Sequence, residues 1–148
     1  NHGFTKAALF MSLGAFMLNT KNVYIKSLRG LGKSMPFTSA AFVIGGLSLI
    51  GVPGTAGFIS KWLLLEAALE TGYWLVAILI IASSLFAVIY IWKIIEVLYF
   101  SESSESYNEV SVLTLMPIWI LALFCIFLGI NTSLTVDVAN MATEILFK

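Results

Sequence analysis

Residues 51–69 read GVPGTAGFISKWLLLEAAL. One lysine, Lys61, stands in a stretch that otherwise partitions into hydrocarbon, and Gly51, Pro53, Gly54 and Gly57 come just before it. No charged residue lies between Lys33 and Lys61. Pro53 lacks an N–H and clashes with the preceding helical turn. The three glycines lower helix propensity and admit non-helical angles. The stretch predicts an apolar helix broken beside a cation.

The surrounding composition says which solvent that helix meets. The chain has 148 residues, 59% of them hydrophobic and 11% charged, with a mean hydropathy of +0.98. A water-soluble domain carries about 25% charged residues. This chain lacks the polar surface to cover such a globule, and the membrane class follows. A formal net charge of zero gives no basic field for nucleic acid. The single cysteine, Cys125, permits no intrachain disulfide and reads as a small hydrophobe. P-loop, GxGxxG, GxSxG and Cys/His metal spacings are absent, so we expect no active site of its own, no cofactor and no metal. Asn1 stands where a helix has already begun, which predicts a piece of a longer polytopic protein.

Uncharged runs place about four transmembrane segments in one membrane domain, 1–148. They are expected at about 2–18, 37–70, 73–100 and 111–130, followed by an amphipathic tail over 131–148. A crossing takes about 20 residues. The second segment exceeds that, and its break falls near 51–57. It reads either as a hairpin of two short helices or as one discontinuous helix. Irregular backbone at membrane depth survives only where protein or water covers it, and transporters place such broken helices at ion sites. The loop 19–36 carries Lys21, Lys26, Arg29 and Lys33 and no acid, which places it in the cytoplasm. The acids Glu102, Glu105 and Glu109 of the next loop contribute little to orientation.

Lys61 is the first candidate for chemistry. A lysine at the centre of a spanning helix costs about 2.5–3.5 kcal/mol on insertion scales, and such residues face a cavity or a partner. An amine that gains and loses a proton there is a relay group; the alternative is snorkelling to an interface. His2 and Lys6 form the second candidate. Their i, i+4 spacing puts two protonatable groups on one helix face; the alternative is an interfacial position. Lys93 and Glu96 near the end of the third segment read as anchors, supported by the aromatics Trp74, Trp92 and Tyr99.

NHGFTKAALFMSLGAF, residues 1–16, and LRGLGKSMPFTSAAFVIGGLSLIGVPGTAGFISKWLLLEAAL, residues 28–69, resemble the antiporter-like membrane subunits. That family comprises the large subunits of Mrp-type cation/proton antiporters and the proton-pumping subunits of respiratory complex I and membrane-bound hydrogenases. The G-x-P-x-T-A-G-F-x-x-K pattern is its most specific part. The resemblance implies an all-α membrane fold of about fourteen helices in inverted repeats, of which this chain is the C-terminal part. It implies that 37–70 is one broken helix. Lys61 would match an ionisable residue at a proton outlet, and Lys6, with His2 beside it, a lysine of the central hydrophilic axis. Trp62 after Lys61 looks most like the D-type Mrp subunit.

The function expected is a proton-conducting segment of a cation/proton antiporter subunit, relaying protons through Lys61, Lys6, His2 and bound water. An alternative is a proton-pumping subunit of an NADH:quinone oxidoreductase or a membrane-bound hydrogenase. A third reading is a non-conducting scaffold, with Gly45, Gly46 and Gly51 serving close helix packing. The expected partners are other membrane subunits, the lipid bilayer, protons and Na+, and the expected location is a bacterial inner membrane.

Overall fold

The computed structural model describes residues 1–22, 24–102 and 107–146, and these are helical throughout apart from turns and loops. Seven α-helices occur among them: α1 (His2–Thr20), α2 (Leu31–Ser34), α3 (Pro36–Ile50), α4 (Ala56–Glu70), α5 (Trp74–Phe100), α6 (Val112–Ile130) and α7 (Thr132–Leu146), with a 3-10 turn at Ile25–Leu28. By length and composition α5 and α6 can cross a membrane, and α3 is a shorter apolar helix. Glu105 lies outside the described residues.

Local chemistry sets the ends of α3. Pro36 opens it, where a missing N–H costs nothing. Gly51 closes it at φ +90°, a conformation that favours glycine. The N–H groups of Gly51 and Val52 both turn back to the Leu47 carbonyl, at 3.0 and 3.1 Å. Pro53 and Gly54 carry the chain through a turn, and extended Thr55 leads into α4. The break is therefore Gly51–Thr55. Gly57, expected in the break, instead lies in the first turn of α4. A Cβ there would come within 1.7 Å of the Ser48 carbonyl oxygen, so its glycine serves the crossing of two helix ends.

The neighbours met along α5 give the arrangement of the two half-helices. Ser84 meets Lys61 of α4, Ile91 meets Gly46 of α3, and Val97 to Tyr99 meet Gly30 and Gly32. The partners run backward through the chain as α5 runs forward. Hence α3 and α4 lie end to end along one antiparallel neighbour, overlapping only at the break, and they do not fold into a hairpin.

Helix α3 is threaded between α1 and α5. A Cβ at Gly45 would meet Leu9 at 3.2 Å, and one at Gly46 would meet Ile91 at 2.9 Å. Phe16 and Phe42 pack with ring centroids 6.1 Å apart in a core completed by Leu31, Met35 and Leu98. Ala15, Ala41, Ile118 and Ala122 join α1, α3 and α6. The outward faces of α5 and α6 stay apolar and exposed, and Leu134, Val138, Met141 and Ile145 form an exposed apolar stripe on α7.

The α5–α6 loop fastens the other end of α3. Glu109 accepts the N–H groups of Phe37 and Thr38 at 2.9 and 3.3 Å and the Thr38 hydroxyl at 2.5 Å. A carboxylate at a helix N-terminus satisfies free donors and complements the dipole.

Gly57→Ala in the complete protein is expected to destabilise it by about 1–3 kcal/mol, since a helix end must move to admit the methyl. Gly14→Ala, with nothing within 4 Å of the new methyl, is expected to be neutral or stabilising by up to about 1 kcal/mol. Thermal unfolding in detergent compares the two, and an unchanged midpoint for Gly57→Ala would refute the packing.

Candidate proton-relay site

The ends of α3 explain why a cation stands where it does. The last four carbonyls of a helix have no intrahelical donor. Leu47 receives two N–H groups beyond the helix end, but the chain turns away from Leu49 and Ile50. Lys61 reaches back from the second turn of α4 and donates to both, Nζ to O 2.9 Å in each case. Its third donor goes to Ser84 Oγ on α5 at 2.8 Å. A lysine ammonium has three donors and no acceptor, and all three are used. The acceptors are two carbonyls and a hydroxyl, none of them a formal charge. The carbonyls also form the negative end of the α3 dipole. The stem of Lys61 passes over Gly51, whose absent Cβ would stand 3.0 Å from Cδ. Break and cation are thus one feature: the break frees the acceptors, and the lysine fills them.

Lys61 opens on a cavity of about 260 Å³ whose lining includes His2, Thr5, Ser48, Ser60 and Tyr90. That is room for several waters. Two of its lining hydroxyls are bonded to each other. Thr5 Oγ1 and Ser48 Oγ share a hydrogen bond of 2.8 Å, Ser48 Oγ accepts the Gly57 N–H at 3.3 Å, and Cys125 Sγ lies 3.7 Å from Thr5 Oγ1. Lys6 faces a second cavity of about 230 Å³, walled by Leu9, Phe42, Ile91 and Ile94. The two cavities share Leu49 and Tyr90.

Of the residues marked by sequence, His2 and Lys61 therefore line one cavity and Lys6 lines its neighbour. Gly51, Pro53 and Gly54 form the break, whereas Gly57 makes the crossing. Lys93, Glu96, Glu66 and Glu70 are exposed, and the donors of Lys61 are satisfied without them. Ser84, Thr5, Ser48 and Tyr90 escaped the sequence reading. A signal for one of them, Tyr90, existed: Ser83, Ala87 and Tyr90 repeat at i, i+4, i+7, a small and polar face on an apolar helix.

Comparison with known proteins follows this geometry. The family model described as NADH:quinone oxidoreductase/Mrp antiporter, TM, matches residues 1–87. The NADH-quinone oxidoreductase subunit N of Desulforudis audaxviator is 37% identical over 99 residues, covering 67% of this chain and 20% of that protein. The F(420)H(2) dehydrogenase subunit L of Methanosarcina mazei is 33% identical over 144 residues, covering 89% of this chain and 21% of that one. NADH-ubiquinone oxidoreductase chain 5 of Rattus norvegicus is 35% identical over 147 residues, 95% of this chain and 24% of that one. This chain thus spans roughly a fifth to a quarter of the length of these relatives. In the structure of the Mrp complex from Dietzia sp. DQ12-45-1b, a chain superposes with a TM-score of 0.81 at 21% identity, covering 90% of this chain and 34% of that one, which shows a shared fold. With 87 of 148 residues in the family match, the chain belongs to the NADH:quinone oxidoreductase/Mrp antiporter transmembrane family and is an antiporter-like integral membrane protein.

Proposed function

We propose that this chain is the proton-conducting segment of an antiporter-like membrane subunit, with Lys61, His2 and Lys6 as relay groups. One observation carries the reading: the Lys61 ammonium rests on two free carbonyls of a broken helix and faces a cavity that also holds a histidine. The carbonyls and Ser84 supply in advance the acceptors that a charged amine needs in an apolar setting. A proton passes from the Lys6 cavity past Tyr90 to waters beside His2, and from there to Lys61. The change of charge at each amine biases the next, because charges interact strongly where the dielectric is low.

In this reading α3 and α4 together make one crossing, beside crossings by α1, α5 and α6, at the C-terminal end of a fold of about fourteen helices. The loop 19–36 faces the cytoplasm of a bacterial cell, and α7 lies at the membrane interface. Other membrane subunits, lipid, protons and Na+ are the partners. The curated relatives named above are subunits of dehydrogenases and oxidoreductases, which favours a second reading: the same relay coupled to electron transfer in place of Na+ exchange. Vesicles separate the two, since one needs a Na+ gradient and the other an oxidisable donor. In this reading the close packing at Gly45, Gly46 and Gly51 serves Leu9, Ile91 and Lys61 of this chain.

Lys61→Ala in the complete protein is expected to abolish coupled proton movement, measured with a fluorescent pH probe in everted membrane vesicles. Alanine also leaves two carbonyls uncapped, at a cost of about 1–3 kcal/mol, so Lys61→Arg is the sharper variant. Arginine keeps the charge and the donors but does not release its proton. It is expected to assemble with wild-type stability and fail to transport. Wild-type transport by Lys61→Arg would defeat the relay.

Ser84→Ala removes one of the three acceptors at Lys61 and nothing else that the proton needs. Transport is expected to slow roughly 5- to 30-fold, matching a loss of about 1–2 kcal/mol, with assembly intact on native gels. A rate equal to wild type would show that Ser84 has no part in holding the amine.

A further inference from the structure

We infer that Glu109 is a positioning residue for Lys61, acting through the whole length of α3. The inference rests on the relay reading above and deepens it. Glu109 accepts four hydrogen bonds: Oε2 takes the N–H groups of Phe37 and Thr38, and Oε1 takes the Thr38 hydroxyl and the Val110 N–H. The last of these ties the carboxylate to its own loop. The first three tie that loop to the start of α3. Pro36 offers no N–H, so Phe37 and Thr38 carry the free donors of the first turn. At the opposite end of the same helix, Lys61 holds the carbonyls of Leu49 and Ile50. Helix α3 thus runs from an anion to a cation, each matched to its end of the dipole.

Fifteen residues of helix make a rod about 22 Å long. Moving one end along the axis moves the other by the same amount. The flanks transmit that movement to the neighbours, since Phe42 packs on Phe16 and Leu9 and Ile91 fill the places where Gly45 and Gly46 lack side chains. Axial register is therefore set by this packing together with the hydrogen bonds at the two ends. The neighbouring residue extends the clamp to a second helix, since Asn19 Nδ2 at the end of α1 donates to the Asn108 carbonyl at 2.8 Å. Helix α1 carries His2 and Lys6. One short stretch, 107–110, thus grips the two helices that carry or hold the relay groups, at the end opposite Lys61, and fixes them relative to each other.

The experiment compares Glu109→Ala, Glu109→Gln and Glu109→Asp in the complete protein with Lys61→Ala alongside. Two readouts are taken: transport per assembled molecule in everted vesicles, and amide hydrogen exchange by mass spectrometry. Alanine and glutamine are expected to cut transport about tenfold or more, and aspartate, which keeps the charge, to restore most of it. The decisive amides are those of Gly51 and Val52, which bond to Leu47 at the Lys61 end. Their exchange is expected to rise at least fivefold in Glu109→Ala. A local cap would change only the first turn, near residues 37–40, and that pattern overturns the inference. Wild-type transport in Glu109→Ala, with Lys61→Ala inactive, also overturns it and leaves the relay standing. Wild-type transport in Lys61→Ala defeats the relay instead, and the far-end amides then decide whether Glu109 still sets the position of α3.

Discussion

Everything in this chain is arranged around an ammonium resting on two carbonyls that a helix has run out of N–H groups to satisfy. Each partner alone would be a defect in an apolar interior. A free carbonyl buried without a donor costs about 1–3 kcal/mol. A lysine at membrane depth costs a similar amount or more. Brought together at 2.9 Å they cancel each other's penalty. The sequence that breaks the helix therefore stands beside the residue that mends it, Gly51 to Thr55 beside Lys61.

That arrangement dictates much of the packing. The end of α3 has to lie close to the start of α4, which explains why Gly57 admits no side chain. The break needs cover on its other side, and α6 supplies it. Gly129 of α6 would carry a Cβ only 2.4 Å from Thr55, so backbone lies directly on backbone there. Helix α5 closes the remaining side with Ser84, the third acceptor. Irregular backbone in an apolar setting is tolerated when protein covers it, and here α4, α5 and α6 do so.

Much of this is legible in the sequence, though not the partners. Uncharged runs mark the helices, Pro53 with Gly51 and Gly54 marks the break, and an isolated cation marks Lys61. The i, i+4 spacing puts His2 and Lys6 on one face. Charge cannot decide between a hairpin and two helices end to end, because no charged residue lies between Lys33 and Lys61; the order of contacts along α5 decides it. Gly57 was misplaced because a glycine in a break and a glycine at a crossing look alike in one dimension. Ser84 was missed because it falls outside the one small and polar face of a 27-residue apolar helix, and its partner is known only from the fold. Glu109 was invisible for a different reason: it caps a helix that begins more than 70 residues earlier, and local pattern carries no trace of such a bond.

The choice of lysine at position 61 then follows from what its neighbours demand. A carboxylate would face the negative end of α3 and add repulsion to two unsatisfied carbonyls. A neutral apolar side chain would leave those carbonyls bare. Arginine would satisfy them but hold its proton at any pH the protein meets. Lysine alone supplies several donors on a flexible stem and can still give up a proton. A purely structural cap would be served as well by arginine, with its planar fork of donors. The cavity in front of the amine, lined by hydroxyls and a histidine, has no structural use in capping a helix. It has one if the proton is meant to leave.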